Sequence, residues 1–291
     1  MQLVLHTGAH FTEEERLMKC LLRNTSMLSK KGVVVPGPSR YRKLLKEILN
    51  ALQTAPASDA ARDVVLDAIL DDETADRVVL SHPFIFGAPR ASVYRGMIFH
   101  KAPERMQHFC DLFPHDDIEM FIAIRNPATL LPALLQHSPK HDMASFIGGT
   151  DPRMVRWSET LTAIREAAPR LSITVWCNED APLIWSQIIR DMTGLEHGEK
   201  ITGGFDLLSS IMSDEGMKRF RTYLKTHKGM SEMQKRRVIA AFLDKFALED
   251  EIEEELDVYG WTEALIDEMS DIYDEDVLEI QRIPGVTMIT P

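Results

Sequence analysis

At 291 residues, with 44% hydrophobic and 27% charged side chains, the chain has the composition of a soluble globular protein and volume for a proper core. A formal charge of −12 argues against a general nucleic-acid role, because phosphate backbones are bound by excess Lys and Arg. No apolar run approaches the roughly 20 residues of a membrane span, the N-terminal stretch lacks the pattern of a secretory signal, and Cys20, Cys110 and Cys177 are scattered singly, so a cytoplasmic protein without disulfide framework or CxxC metal site is expected.

The first seventeen residues predict strand, tight loop and helix: Leu3-Val4-Leu5 is apolar, Gly8 follows, and Leu17, Met18, Leu21 and Leu22 recur at helical spacing in a helix expected to reach about Leu28. Such a turn is a natural anion site. Gly8 allows close backbone approach, and His10 and Thr12 offer donors. Opposing this, Glu13, Glu14 and Glu15 already complement the helix dipole and no Lys lies between Met1 and Met18. A dianion about 5 Å from one of these carboxylates meets roughly 3 kcal/mol of repulsion at an effective dielectric near 20.

Further along, GVVVPGP (Gly32 to Pro38) is a short apolar segment closed by turn residues, Tyr41 to Leu52 carries a helical stripe, and Ala60 to Leu70 a second. Arg77 to Ser81 reads as a buried strand followed by His82-Pro83, Pro103 to Phe113 as a helix, and Met120 to Ile124 as the strongest strand, ending at Arg125-Asn126-Pro127 before a helix from Ala128 to His137. Arg153 to Ala168 reads as helix and Ser172 to Trp176 as strand, with a helix containing Trp185, Ile188 and Ile189 beyond it. Strands alternating with helices predict a parallel sheet covered on both faces, with functional groups at the strands' C-terminal ends. From Met212 onward only helical periodicity is evident, over Met217 to Lys225, Glu232 to Phe246 and Thr262 to Ile272. One domain over 1–291 is expected, with an α/β core at 1–210 and a helical C-terminal portion at 211–291.

Charge is unevenly placed. Sixteen Asp or Glu stand against one Lys between Asp244 and Glu279, just after a basic stretch from Lys218 to Arg237. Two surface helices partly neutralising each other is the simplest arrangement, and a docking face the alternative. His137 and His141 are separated by Pro139, which denies them the shared helical face a metal pair needs. His115-Asp116-Asp117 reads as a turn before the next strand, and Asp271 to Asp276 lacks calcium-loop spacing. Cys177 reads as a buried thiol, and Trp157, Trp176, Trp185 and Trp261 as core.

With these strand ends in place, the chain resembles the sulfotransferase family, whose first loop reads roughly H-x-G-x-x-K-T-G-T-T. His6-Thr7-Gly8-Ala9-His10-Phe11-Thr12-Glu13-Glu14-Glu15 aligns with it without a gap, and Gly32 to Pro38 and Arg125-Asn126-Pro127 look like the bacterial branch. The resemblance implies a P-loop-type parallel sheet flanked by helices, phosphoadenosine phosphosulfate as donor and a hydroxyl-bearing acceptor. By the same resemblance, Gly8, Ala9, His10, Thr12 and Arg125 would hold the donor, His82 would be the catalytic base, and the acceptor would meet Phe84 to His100 and parts of Ser138 to Asp151. The family's loop lysine is Phe11 here, its Gly-Thr-Thr is Glu13-Glu14-Glu15, and the serine eight residues after the strand-end arginine is Ala133. An aromatic ring cannot stabilise charge on a bridging phosphate oxygen. The leading expectation is therefore a family member with a degenerate donor loop, weakly active or non-catalytic. One alternative is an active enzyme in which His10, Arg16 or a lysine of the basic helices supplies the missing cation. The other is a scaffold or regulatory protein meeting a protein partner through its acidic C-terminal helices.

Overall fold

The computed structural model describes residues 1–13, 15–58, 60–71, 73–252 and 258–291. Glu14 of the loop and the acidic stretch 253–257 lie outside the described residues. The strands are β1 (Gln2–His6), β2 (Val33–Val34), β3 (Arg77–Ser81), β4 (Val93–Tyr94), β5 (Met97–Ile98), β6 (Asp117–Ile124), β7 (Ser172–Cys177) and β8 (Val286–Ile289). Six of them form a parallel sheet in the order β2-β3-β1-β6-β7-β8, while β4 and β5 make a small antiparallel hairpin.

Alternation along the central strands divides their side chains between two apolar layers. Leu3, Leu5, Val78, Leu80, Met120, Ile122, Ile173 and Val175 face one layer. It is covered by the helices Pro38–Ala51, Ala61–Leu70, Ala102–Leu112, Pro127–Gln136, Trp157–Ala167 and Glu263–Ile280. Val4, Val79, Phe121, Ala123 and Trp176 face the other, against the helices Arg16–Arg23 and Ala181–Thr193. The chain thus leaves β1 toward one face and leaves β3 and β6 toward the other. The C-terminal end of β1 is therefore a topological switch point, where open α/β sheets form their binding crevices.

Several local expectations are revised. The first helix breaks at Asn24 and resumes as Thr25–Ser29; the Asn24 amide donates to the carbonyls of Cys20 (2.7 Å) and Thr202 (2.8 Å) and accepts from the Thr202 N–H (2.9 Å). The helix expected from Arg153 starts at Trp157, after a short 3-10 turn at Pro152–Met154. Its start is set by Asp276, 2% exposed, whose carboxylate accepts the Trp157 N–H at 2.7 Å and the Ser158 hydroxyl, a cap supplied from another helix. The C-terminal portion is not wholly helical, because Val286–Ile289 joins the sheet beside β7. The described parts of the two charge runs lie on different helices. The acidic helix Glu263–Ile280 covers one face of the sheet, whereas the basic helices Asp214–Thr226 and Glu232–Phe246 share a small core beyond the helix on the opposite face.

The four tryptophans are buried, and Cys177 is a free, buried thiol pushed up to about 12 by burial. Asp116 accepts from the Arg62 guanidinium at 2.7 and 2.9 Å at the turn before β6. Among the described residues, no helix is long and apolar enough to cross a membrane, and no His, Cys, Asp or Glu cluster could hold a metal ion.

Candidate functional site

Beyond β1 the backbone continues to pair with β6. The Thr7 N–H donates to the Phe121 carbonyl at 2.9 Å, the Ala9 N–H to the Ala123 carbonyl at 3.1 Å, and the Ala123 N–H to the Gly8 carbonyl at 2.7 Å. The amides of Thr7 and Ala9 are thereby engaged within the protein. Gly8 has φ of +98°, a conformation that L side chains rarely adopt, so the backbone here favours glycine. The Thr12 hydroxyl turns back to the Ala9 carbonyl at 2.9 Å.

The helix N-terminus that follows is occupied by a carboxylate of the chain itself. Glu13, 5% exposed, accepts the Leu17 N–H on Oε2 at 2.8 Å, where a bound anion would sit. Burial raises its carboxyl to about 7, against the Leu17 hydrogen bond that favours the charged form. Glu15 adopts φ of +65° immediately before the helix and takes Arg42 in a two-point pair, Nη1 to Oε1 at 2.7 Å and Nη2 to Oε2 at 2.9 Å. Arg42 Nε donates to the Ser81 carbonyl at 2.8 Å. Its fork is therefore filled by protein oxygens.

Around this pair lies a buried polar network. The Tyr41 hydroxyl donates to the Ser81 carbonyl at 2.9 Å and accepts the Ser81 N–H at 2.8 Å. His6 Nδ1 lies 3.0 Å from the Ser81 hydroxyl, and the His6 ring stacks on Trp176. Burial, and secondarily the Arg42 charge, lowers His6 to about 3 and His82 to about 4. His82 Nε2 lies 3.1 Å from the Arg42 carbonyl, so the neutral ring carries its proton on that nitrogen; Nδ1 is buried without a hydrogen-bond partner.

Aromatic rings roof the strand end. His10 packs at 5.2 Å from Phe84 and 5.4 Å from Phe99, Phe11 at 4.6 Å from His137, and burial lowers His10 to about 4. His10 is thus neutral near pH 7 and supplies no cation. Arg125, 5% exposed, donates from Nη1 to the Phe11 carbonyl at 2.7 Å and from Nε to the Thr129 hydroxyl at 3.0 Å. The Arg125 carbonyl accepts the Trp157 indole N–H at 2.8 Å. Ala133 sits in the helix after β6, its carbonyl 3.0 Å from His137 Nδ1.

Loop and strand ends thus bring Gly8, Ala9, His10, Thr12, His82 and Arg125 together at the C-terminal edge of the sheet. Arg42 and Tyr41 also converge there, and sequence spacing gives no sign of it: both belong to a helix whose only legible feature is its apolar stripe. Glu179 was likewise not legible; its carboxylate accepts the Asn126 N–H at 2.9 Å and the Tyr273 hydroxyl at 3.3 Å, and burial raises its pKa. Of the two segments expected from the sequence to meet an acceptor, Phe84 to His100 contains the β4–β5 hairpin, and it meets the second closely: a Cβ on Gly96 would lie 2.6 Å from the Thr150 methyl. Phe84, packed on His10, and Tyr94 are about half exposed.

No family model matches the chain, and no curated protein matches it. Among solved structures, the chain is similar to a sulfotransferase from Alicyclobacillus acidocaldarius at 12% identity and a TM-score of 0.41, covering 82% of this chain and 97% of that one.

Proposed function

We propose that this chain is a sulfotransferase-like α/β protein whose donor loop is closed by its own side chains, leaving it weakly active or non-catalytic toward phosphoadenosine phosphosulfate. The observation that carries this reading is Glu13, a buried carboxylate on the helix N–H group that a phosphate would need. The residues present do not fit the donor. Two carboxylates line the loop, His10 is neutral, the Arg42 fork is filled, and the Thr12 hydroxyl is turned inward. A phosphate reaching the Leu17 N–H must displace the Glu13 oxygen that already holds it, which forfeits about 1.5–3 kcal/mol of charge-assisted hydrogen bonding and weakens binding about ten- to a hundredfold.

Calorimetry with adenosine 3′,5′-bisphosphate is expected to show no loop-dependent binding tighter than ~1 mM. The double variant Phe11→Lys with Glu13→Gly frees the Leu17 N–H and restores a cation, and is expected to strengthen that binding at least tenfold, about 1.4 kcal/mol. Failure of the rescue would assign the loss to Ala133 and other positions. A micromolar dissociation constant in the unaltered protein would instead support an active transferase using a hydroxyl acceptor, with His82 as base.

A further inference from the structure

A second concentration of cations lies away from the end of β1. A cavity of about 570 Å³ opens between the helix Ala181–Thr193, the segment 198–205 and the helical pair Asp214–Thr226 and Glu232–Phe246. Its volume is that of a small-molecule site, and none of the residues of the β1 loop lines it. Arg190, Lys200, Lys228, Lys235 and Arg236 stand in its wall against Glu199 and Glu232, five cations to two carboxylates, in a chain whose formal charge is −12. Apolar side chains, Leu183, Phe205 and Ile239 among them, supply the rest of the wall.

Not all of these cations are available. Arg236 is held by the Gln187 side chain and by the Thr290 carbonyl at 2.9 Å. Arg190 differs. Its side chain is 9% exposed, and its Nε and Nη1 are buried with no hydrogen-bond partner. Nη1 stands 3.7 Å from Glu232 Oε2, a carboxylate that Lys235 already engages at 2.7 Å. Buried guanidinium N–H groups are normally satisfied; Nε belongs to one edge of the fork and Nη1 to the other, so each edge offers an unfilled donor to an oxygen of a phosphate or carboxylate.

We propose that this cavity binds a small organic phosphomonoester, its dianionic head on Arg190 with Lys235 and Lys228 beside it and its body against Leu183, Phe205 and Ile239. A dianion matches the excess of positive charge better than a monocarboxylate. Confinement of the cations to a cavity, rather than to an open face, selects a small molecule over a polyanion.

The test is calorimetry on the full chain with phenyl phosphate at about 0.1 M ionic strength, with benzoate and inorganic phosphate as comparisons. Saturable binding is expected for phenyl phosphate, weaker by about tenfold for either comparison and for Arg190→Gln or Lys235→Ala, the loss of one charge-assisted contact. Lys228→Ala, at an exposed position, leaves packing intact and is expected to weaken binding about threefold. Absence of saturable heat up to ~10 mM phenyl phosphate would overturn the proposal, as would unchanged affinity in both lysine variants. Equal affinity for inorganic phosphate and phenyl phosphate would remove the apolar wall from recognition and overturn it too. Adenosine 3′,5′-bisphosphate also carries phosphomonoesters, so any heat it produces is assigned by Arg190→Gln: heat lost in that variant belongs to this cavity, heat retained belongs to the β1 loop.

Discussion

Acidification from pH 7 to pH 4 is expected to cost this fold several kcal/mol of stability, because three histidines beside the strand ends are held neutral in the native state. Unfolded histidine takes up a proton near pH 6.5, whereas burial holds His6 at about 3 and His10 and His82 at about 4. The unfolded chain therefore binds more protons below pH 6.5, and stability falls as the pH drops, by about 3 kcal/mol for each ring by pH 4 at 1.36 kcal/mol per unit. Glu119, Glu179, Asp180, Asp191 and Asp276, whose carboxyls burial raises, act in the opposite sense, and so does Glu13. Its carboxyl is raised to about 7 from an ordinary 4.5, so the native state binds the extra proton between those values and protonation returns about 3 kcal/mol as the pH falls. Set against a typical stability of roughly 5–15 kcal/mol, the net loss brings acid unfolding into reach near pH 4. Urea titrations at pH 7, 5.5 and 4 measure it; a change under about 2 kcal/mol across that range would mean the three rings protonate without leaving their places.

Replacing Trp157 by alanine is expected to cost about 5 kcal/mol. The ring is fully buried, stands edge-on to Phe99 at 5.8 Å and donates its indole N–H to the Arg125 carbonyl at 2.8 Å. A Trp→Ala cavity accounts for about 3–5 kcal/mol, and the orphaned carbonyl for about 1 more. Trp157→Phe separates the two terms, with a loss near 2 kcal/mol expected, since the hydrogen bond goes but most of the packing remains. Equal losses in the two variants by urea unfolding would assign the whole effect to the hydrogen bond.

The sheet was legible because its central strands are short, β-branched or apolar runs buried on both sides, a pattern with few competitors. β8 was not, since Val286-Thr287-Met288-Ile289 is an edge strand of alternating exposure behind a Pro-Gly turn, and its pairing with β7 is set by contacts distant in sequence. The start of the helix at Trp157 escaped for the same reason: its cap, Asp276, lies 119 residues away. In the site, the clash between an anion-ready turn and the glutamates could be read from residue types alone. The partner of Glu15 could not, because Arg42 occupies an ordinary polar position on an amphipathic helix, and no periodicity links a helix position to a loop 27 residues earlier.

The placement of residues 263–289 bears on how the chain emerges from the ribosome. Until they are synthesised, the outer edge of β7 has no neighbour and the apolar surface of the helices Pro127–Gln136 and Trp157–Ala167 lacks the amphipathic helix that shields it. A nascent chain halted after β7 but before this stretch presents both an open strand and a sticky patch, the two features that recruit chaperones or provoke aggregation.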